Sequence, residues 1–355
     1  MKKFTYKNSA KQQAVRKSRS SAKRTLIKPQ GKISAAAIKG LVIASIAKFN
    51  IVRAIDSNTI YECYLGGTLI TPNKKSSLVV VGDIVHIIID EYQNESTTYD
   101  ETISATGYIT GTIIAVEERK NSLARIVPGK STREHVITAN ADYLLLIMAA
   151  FQPQYNRRLI DRFVVSAELG GLKMAMCINK MDLVHRDDTD IVKEDFEVYA
   201  NLGIETFFVS VEKEKNLESI NEFLKGNRTI LSGPSGSGKS SLINYLIGDT
   251  IQEVNEISQR TNKGQHTTSS VRMFDLDDNT QIVDTPGIRE FAISGLEKDD
   301  LALYFHEFDP YFPKCKYPQC SHIHEPKCAV IEAVEEGDID IERYQSYINL
   351  YETLE

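Results

Sequence analysis

The sequence predicts a multidomain chain: an N-terminal all-β barrel, a central α/β domain on a mostly parallel sheet, and a small, mostly helical C-terminal domain folded round a metal. Three observations carry that expectation. Five short β-rich runs crowd into residues 39–118, a glycine-rich loop at 233–240 stands between a strand-like and a helix-like segment, and three cysteines and two histidines fall within residues 315–328. At 355 residues the chain exceeds one ordinary domain. The expected division is a basic arm (1–38), the barrel (39–118), a linker (119–134), the nucleotide domain (135–298) and the metal-binding domain (299–355).

Charge separates the arm from the rest. Residues 1–55 hold 14 Lys or Arg and no Asp or Glu, which leaves 28 basic and 48 acidic residues on the remainder. A basic arm on an acidic body points to a polyanionic partner. The arm is rich in Lys, Arg, Ser, Gln and Ala and has no apolar core region, so it does not read as a secretory signal, and no run is long enough to span a membrane. No membrane partner is expected. An organellar transit peptide, also basic and acid-poor, is the competing reading to a cytoplasmic protein.

The barrel rests on Leu41-Val-Ile-Ala, Asn50-Ile-Val-Arg, Thr59 to Leu65, Ser77 to Ile89 and Gly107 to Val116, each β-prone and bounded by polar turns. Five strands in about 80 residues fit an OB-type barrel, a fold that often binds oligonucleotides. Fold alone does not establish RNA binding, but the adjacent basic arm favours it. The polar, partly acidic stretch 90–106 reads as an insertion, and residues 119–133 as a polar, basic linker.

Alternation of strand and helix follows. Tyr143 to Ala150 is a buried strand, Arg158 to Leu169 a helix and Lys173 to Ile178 the next strand, as a doubly wound sheet requires. Asn179-Lys180-Met181-Asp182 comes directly after that strand, where ligands of open α/β sheets bind. Asp182 there can accept hydrogen bonds from guanine N1 and its exocyclic amine, which adenine cannot supply, while Asn179 and the Lys180 stem frame the ring. Ser210, closing the run Thr206-Phe-Phe-Val, is a candidate for the second guanine-side loop; a serine after a strand is also common as a plain turn.

About fifty residues later, Arg228 to Ser232 is β-prone and leads into Gly233-Pro234-Ser235-Gly236-Ser237-Gly238-Lys239-Ser240-Ser241 and an apolar helix. This is the strand, loop and helix that a phosphate loop needs. Its amides would curl round the β-phosphate, Lys239 would reach the β/γ oxygens and Ser240 would ligate Mg²⁺. Asp284-Thr-Pro-Gly287 then ends a strand: Asp284 would hold Mg²⁺ through water and the Gly287 amide would sense the γ-phosphate. Between them, Gly264-Gln-His266-Thr267-Thr268 can offer a threonine hydroxyl to the metal, and the sequence leaves Thr267 and Thr268 as alternatives. Ile288 stands where many GTPases carry a glutamine that orients water, so intrinsic hydrolysis should be slow. His266 is the nearest chemical replacement, because an imidazole can orient or deprotonate water near neutral pH. Lys239, His266, Thr267 and Thr268 are thus the catalytic candidates.

The base-reading motif precedes the phosphate loop, whereas an uncut guanine-nucleotide fold has them in the opposite order. The core has been circularly permuted. As a consequence, the switch segment beginning at Asp284 runs by chain into Cys315 within about thirty residues, and the base-reading half connects back to the barrel.

The cluster Cys315, Cys320, His322 and Cys328 suits one tetrahedral, structural Zn²⁺, with His324 as the alternative nitrogen donor. Disulfides are disfavoured by an odd number of clustered cysteines beside a nucleotide motif. Cys177 reads as a small core residue and Cys63 as part of a half-buried strand.

NKMD, GPSGSGKS, GQHTT, DTPG followed by Ile288-Arg-Glu-Phe291, the barrel region and a C-x4-C-x-H-x5-C tail together resemble the circularly permuted, small-subunit-dependent GTPases of the RsgA or YjeQ family. The likeness runs from about residue 39 and includes Asn140-Ala-Asp142. It implies late maturation of the small ribosomal subunit, with GTP hydrolysis stimulated by the subunit and coupled to release. It also implies contact with its rRNA, Mg²⁺ with GTP, zinc on Cys315, Cys320, His322 and Cys328, and a catalytic role for His266. The arm and the 90–106 insertion match that pattern poorly. Nothing suggests an obligate oligomer, so a monomer is expected. The rival reading is an RNA-binding scaffold that uses GTP as a structural or regulatory ligand.

Overall fold

The computed structural model describes residues 34–46, 49–72, 77–89, 107–125, 135–248, 271–285, 293 and 295–354. The basic arm up to residue 33, the 90–106 insertion, His266, Thr267, Thr268, Gly287 and Ile288 lie outside the described residues.

Strands β1 (Ile38–Ser45), β2 (Asn50–Ala54), β3 (Ile60–Ile70), β4 (Ile84–Ile89) and β5 (Ile109–Val116) close on themselves in the order β1-β2-β3-β5-β4, with β4 returning to β1. β3 and β5 run parallel and the other pairs antiparallel. This is the five-stranded OB-type arrangement. Its interior is filled by Val42, Val52, Val85, Ile87 and Ile113, all fully buried. Burying each such side chain contributes about 1.5–3 kcal/mol, enough to close a barrel this small.

Residues expected to be linker are partly structured. β6 (Ser122–Arg125) pairs antiparallel with β7 (His135–Ala139), and Arg119 donates from Nε and Nη2 to the buried Asp83 carboxylate at 2.7 and 2.8 Å. The next barrel turn is pressed onto β7. Val81 bridges Thr138, and a Cβ on Gly82 would stand 1.9 Å from the Ala139 carbonyl oxygen, so only glycine permits the approach.

In the α/β domain, β8 (Tyr143–Ala149), α1 (Arg157–Leu169), β9 (Lys173–Asn179), the short helices α2 (Thr189–Glu194) and α3 (Glu197–Asn201), β10 (Glu205–Phe208), α4 (Leu217–Leu224), β11 (Arg228–Ser232), α5 (Lys239–Ile247), β12 (Arg272–Asp275) and β13 (Gln281–Asp284) follow in order. The sheet order is β10-β9-β8-β11-β13-β12, parallel except for β12. β8, β9 and β11 are mostly buried apolar residues, as strands covered on both faces must be. Cys177 is fully buried in β9 and Cys63 in β3.

The C-terminal domain is built from 3₁₀ turns, α6 (Ala329–Glu335) and α7 (Ile341–Thr353). It packs on α1 through one apolar cluster that joins Val165 to Phe305, Phe308 and Tyr347. At that seam Arg343, 1 % exposed, donates from Nη1 to Asp161 at 2.7 Å and from Nε to Glu307 at 2.8 Å. Its guanidinium lies 4.6 Å from the Phe305 ring centroid, and the Tyr199 hydroxyl donates to Asp161 at 2.8 Å. Replacing Arg343 with Ala would leave the buried Asp161 carboxyl without its guanidinium partner. The expected loss is about 3–5 kcal/mol, read as a lower urea midpoint, because removing one partner of a buried pair leaves the other charge uncompensated.

Chain connection and spatial contact are therefore crossed. The metal-binding domain follows the phosphate-sensing segment in sequence but docks on α1, next to the base-reading strand β9. The barrel precedes the base-reading half but pairs through β1 with β12, beside β13.

Candidate functional site

Every sequence-predicted nucleotide residue within the described set lies at the carboxyl end of a parallel strand or in the loop that follows it. The phosphate loop follows β11, NKMD overlaps the end of β9, Ser210 follows β10 and Asp284 ends β13. Because β11 lies between β8 and β13, the cut in the chain leaves the loops together. That end of an open parallel sheet is where ligands bind.

The phosphate loop is closed by contacts only glycine allows. A Cβ on Gly238, at φ +92°, would fall 2.1 Å from the Asn179 side-chain nitrogen. One on Gly233 would fall 2.1 Å from the Ile147 carbonyl oxygen. Pro234, Ser235, Gly236 and Ser237 complete the turn, and Ser240 and Ser241 begin α5 behind Lys239. The Ser237 hydroxyl is buried and has no hydrogen-bond partner among the described residues. The helix N-terminus adds partial positive charge for a phosphate.

Lys239 Nζ is hydrogen-bonded to Asp284 Oδ1. Two residues assigned to phosphate and to Mg²⁺ are thus in direct contact. With Mg²⁺-GTP bound, Lys239 would be the residue to meet the β/γ oxygens and Asp284 the one to hold the cation.

On the base side, the Asn179 side chain donates from Nδ2 to the Ser237 carbonyl at 3.1 Å and accepts from the Val211 amide at 3.0 Å. One residue thereby pins three loops together. Lys180 adopts a left-handed backbone at φ +64°, which turns the chain between Asn179 and Asp182. The Ser210 hydroxyl donates to Asp182 at 2.5 Å and its oxygen accepts from the Lys213 amide at 3.1 Å. Ser210 therefore belongs with the NKMD loop and holds the Asp182 carboxylate in place.

Sequence reasoning missed the turn after β8. Lys180 Nζ donates to the Gln152 carbonyl at 2.5 Å, and a Cβ on Gly236 would lie 3.2 Å from Pro153 Cδ. The only available signal was position: Gln152-Pro153 stands just past a strand's carboxyl end. Also unforeseen was Arg272, which faces Asp284 across the β12–β13 pair.

The second cluster lies in the C-terminal domain. One donor atom each from Cys315, Cys320, His322 and Cys328 lies within 4.8 Å of all the others. His322 Nδ1 is 3.6 Å from Cys315 Sγ and 3.4 Å from Cys328 Sγ. A tetrahedral ion with ordinary metal–sulfur and metal–nitrogen bonds sets its ligand atoms roughly 3.5–4 Å apart, so the donor set fits one divalent cation. His324, the alternative donor, is exposed and outside the cluster. Phe312 stacks on the His322 ring at 5.1 Å, and Tyr344 and Tyr347 of α7 donate to the His322 and Ser321 carbonyls at 2.8 and 2.6 Å. Burial pushes the Cys320 thiol up to about 12 and His322 down to about 4. A bound cation would reverse the first shift by stabilising thiolate, and it suits the neutral imidazole.

Among the described residues, no helix is long and apolar enough to cross a membrane.

Fold and site define a circularly permuted P-loop GTPase with a barrel before it and a metal-binding domain after it. The family described as RsgA GTPase matches residues 116–294. A relative from Chlorobaculum parvum named "Small ribosomal subunit biogenesis GTPase RsgA" is 40% identical over 298 residues, 83% of this chain and 91% of its own. A namesake from Chlorobaculum tepidum is 42% identical over 80% and 88%. Among solved structures, YjeQ from Thermotoga maritima superposes with a TM-score of 0.65 at 30% identity, over 90% of this chain and 98% of its own. YloQ, titled a circularly permuted GTPase, gives 0.61 at 26%, over 91% and 97%. The chain belongs to the RsgA GTPase family and is a GTP hydrolase.

Proposed function

We propose that this GTPase acts in late maturation of the small ribosomal subunit, with turnover stimulated by that subunit and coupled to its release. The observation that carries the reading is near full-length similarity to proteins named small ribosomal subunit biogenesis GTPases, in a chain whose guanine site is flanked by a barrel and a metal domain. The barrel and the basic arm supply a face for rRNA, since Lys and Arg bind phosphate backbones without regard to sequence. Ile288 in place of a water-orienting glutamine supports slow intrinsic turnover, and His266 is the residue that would orient water in the stimulated reaction. The protein works as a monomer with Mg²⁺-GTP in the cytoplasm.

The test is co-sedimentation with purified small subunits in the GTP-analogue and GDP states. The analogue state should pellet and the GDP state should not; equal affinity in both would refute coupling to release. In parallel, the His266→Ala protein should lose the stimulated part of turnover, and full stimulated turnover would remove His266 from the mechanism.

The ion we assign to the cysteine–histidine cluster is one structural Zn²⁺ per chain. Elemental analysis should return one zinc, and chelation should lower the thermal midpoint by loosening α7. Structural zinc in small domains contributes about 10–16 kcal/mol to folding, so a chelated protein with unchanged stability would sink the assignment.

A further inference from the structure

Both flanking domains pack on the GTPase domain through buried apolar clusters. The metal-binding side adds the buried Arg343 pair. On the barrel side Leu41, Ile43, Ala44 and Ile51 share one cluster with Met273 of β12 and Val283 of β13. Strand β12 is only four residues long, Arg272–Asp275, and lies at the margin of the GTPase sheet. β1 pairs with it at one end, Ala44 opposite Arg272. At the other end Arg53 of β2 donates from both terminal nitrogens to the two Asp275 oxygens, the second bond being 3.0 Å. Beside that apolar packing, the barrel thus makes a polar contact with each end of this strand.

What β12 carries makes the grip consequential. Its first residue comes directly after the segment that contains His266, Thr267 and Thr268. Its antiparallel partner β13 ends in Asp284, with Arg272 opposite Asp284 and Asp275 opposite Gln281. A shift of β12 would therefore pass to Asp284 across this pair. Asp275 passes the contact on: Gln281 Nε2 donates to it at 2.7 Å, and Gln281 accepts from Arg228 Nε at 2.8 Å. Arg228 opens β11, the strand that delivers the phosphate loop. Burial opposes ionisation of Asp275, but the bonds from Arg53 and Gln281 outweigh it and hold the carboxyl below its ordinary range.

A half-exposed ion pair adds little to stability, so this contact is a weak fastener.

We propose that Arg53 is a positioning residue for GTP hydrolysis: through the Arg53–Asp275 pair and the β1–β12 pairing, the docked barrel sets the placement of Asp284. Arg53 touches neither nucleotide nor metal. This rests on the reading that the small subunit stimulates turnover, and it adds the route by which barrel docking reaches the site.

The experiment measures GTP turnover with and without purified small subunits, and subunit binding by sedimentation, for the wild type and for Arg53→Asp, Asp275→Arg and the double exchange. Each single variant should lose on the order of tenfold in subunit-stimulated turnover, within the span seen for coupling residues, while still pelleting with subunits. The double exchange should recover most of the stimulation, which an rRNA-contacting or merely structural Arg53 would not allow. Arg53→Lys, which keeps the charge but loses the two-pronged bond, serves as the milder variant if a reversal unfolds the protein, and should show a partial loss. Full stimulation in the single variants and in Arg53→Lys overturns the proposal. So does a double exchange that stays as low as the singles, or a loss that tracks loss of subunit binding. A wild type that subunits do not stimulate overturns the small-subunit reading itself, and is seen before any variant is made.

Discussion

Replacing Lys239 with alanine is expected to lower GTP turnover by on the order of a hundred- to a thousandfold, since it removes a preorganised charge aimed at the transferring phosphate. The structure adds a second reason for the size of the effect. Lys239 is the cation in direct contact with Asp284, so its loss leaves that carboxylate facing the triphosphate with one positive charge fewer. Nucleotide affinity should fall with turnover, because the lysine meets ground-state and transition-state oxygens alike. The measurement is a fluorescent-GTP titration beside a phosphate-release assay. Near-normal turnover in Lys239→Ala would remove Lys239 from the catalytic machinery.

Changing Asp182 to asparagine is expected to break base recognition while sparing the phosphate loop. The Ser210 hydroxyl can still donate to an asparagine oxygen, so the local geometry survives. What is lost is acceptance of two hydrogen bonds from the guanine N1 and amine. Sites built on buried polar readers reject the mismatched ligand by about 10⁴–10⁵, so GTP should lose most of its advantage over other bases. Xanthine, which carries a carbonyl where guanine has its amine, should gain. Competition binding with GTP, ATP and xanthosine triphosphate reads this directly, and an unchanged order of preference would contradict the assignment of Asp182.

Much of this was legible because the chemistry is contiguous in the chain. Gly233 to Ser240, Asn179 to Asp182 and Asp284 each carry their strand or helix context within a few residues. The five barrel strands announced themselves by β-branched runs between polar turns, and the metal cluster by its spacing. Short elements were less visible. β6, four residues with a terminal arginine, reads as linker until β7 pairs with it. β12, Arg-Met-Phe-Asp, has no alternation long enough to detect. The least legible features join residues far apart in sequence. Arg53 and Asp275 are 222 positions apart and Arg343 and Asp161 are 182 apart, so no local pattern points from one to the other. The chain order tied the switch segment to the metal domain; the packing instead sets the barrel against β12 and the metal domain against α1, and only tertiary pairing reveals that crossing.

The most direct test of the account is GTP turnover of the purified protein alone, with small subunits and with large subunits. Slow turnover alone, strongly raised by small subunits and not by large ones, is the predicted result. Turnover that is fast without ribosomes, or raised equally by either subunit, would contradict it.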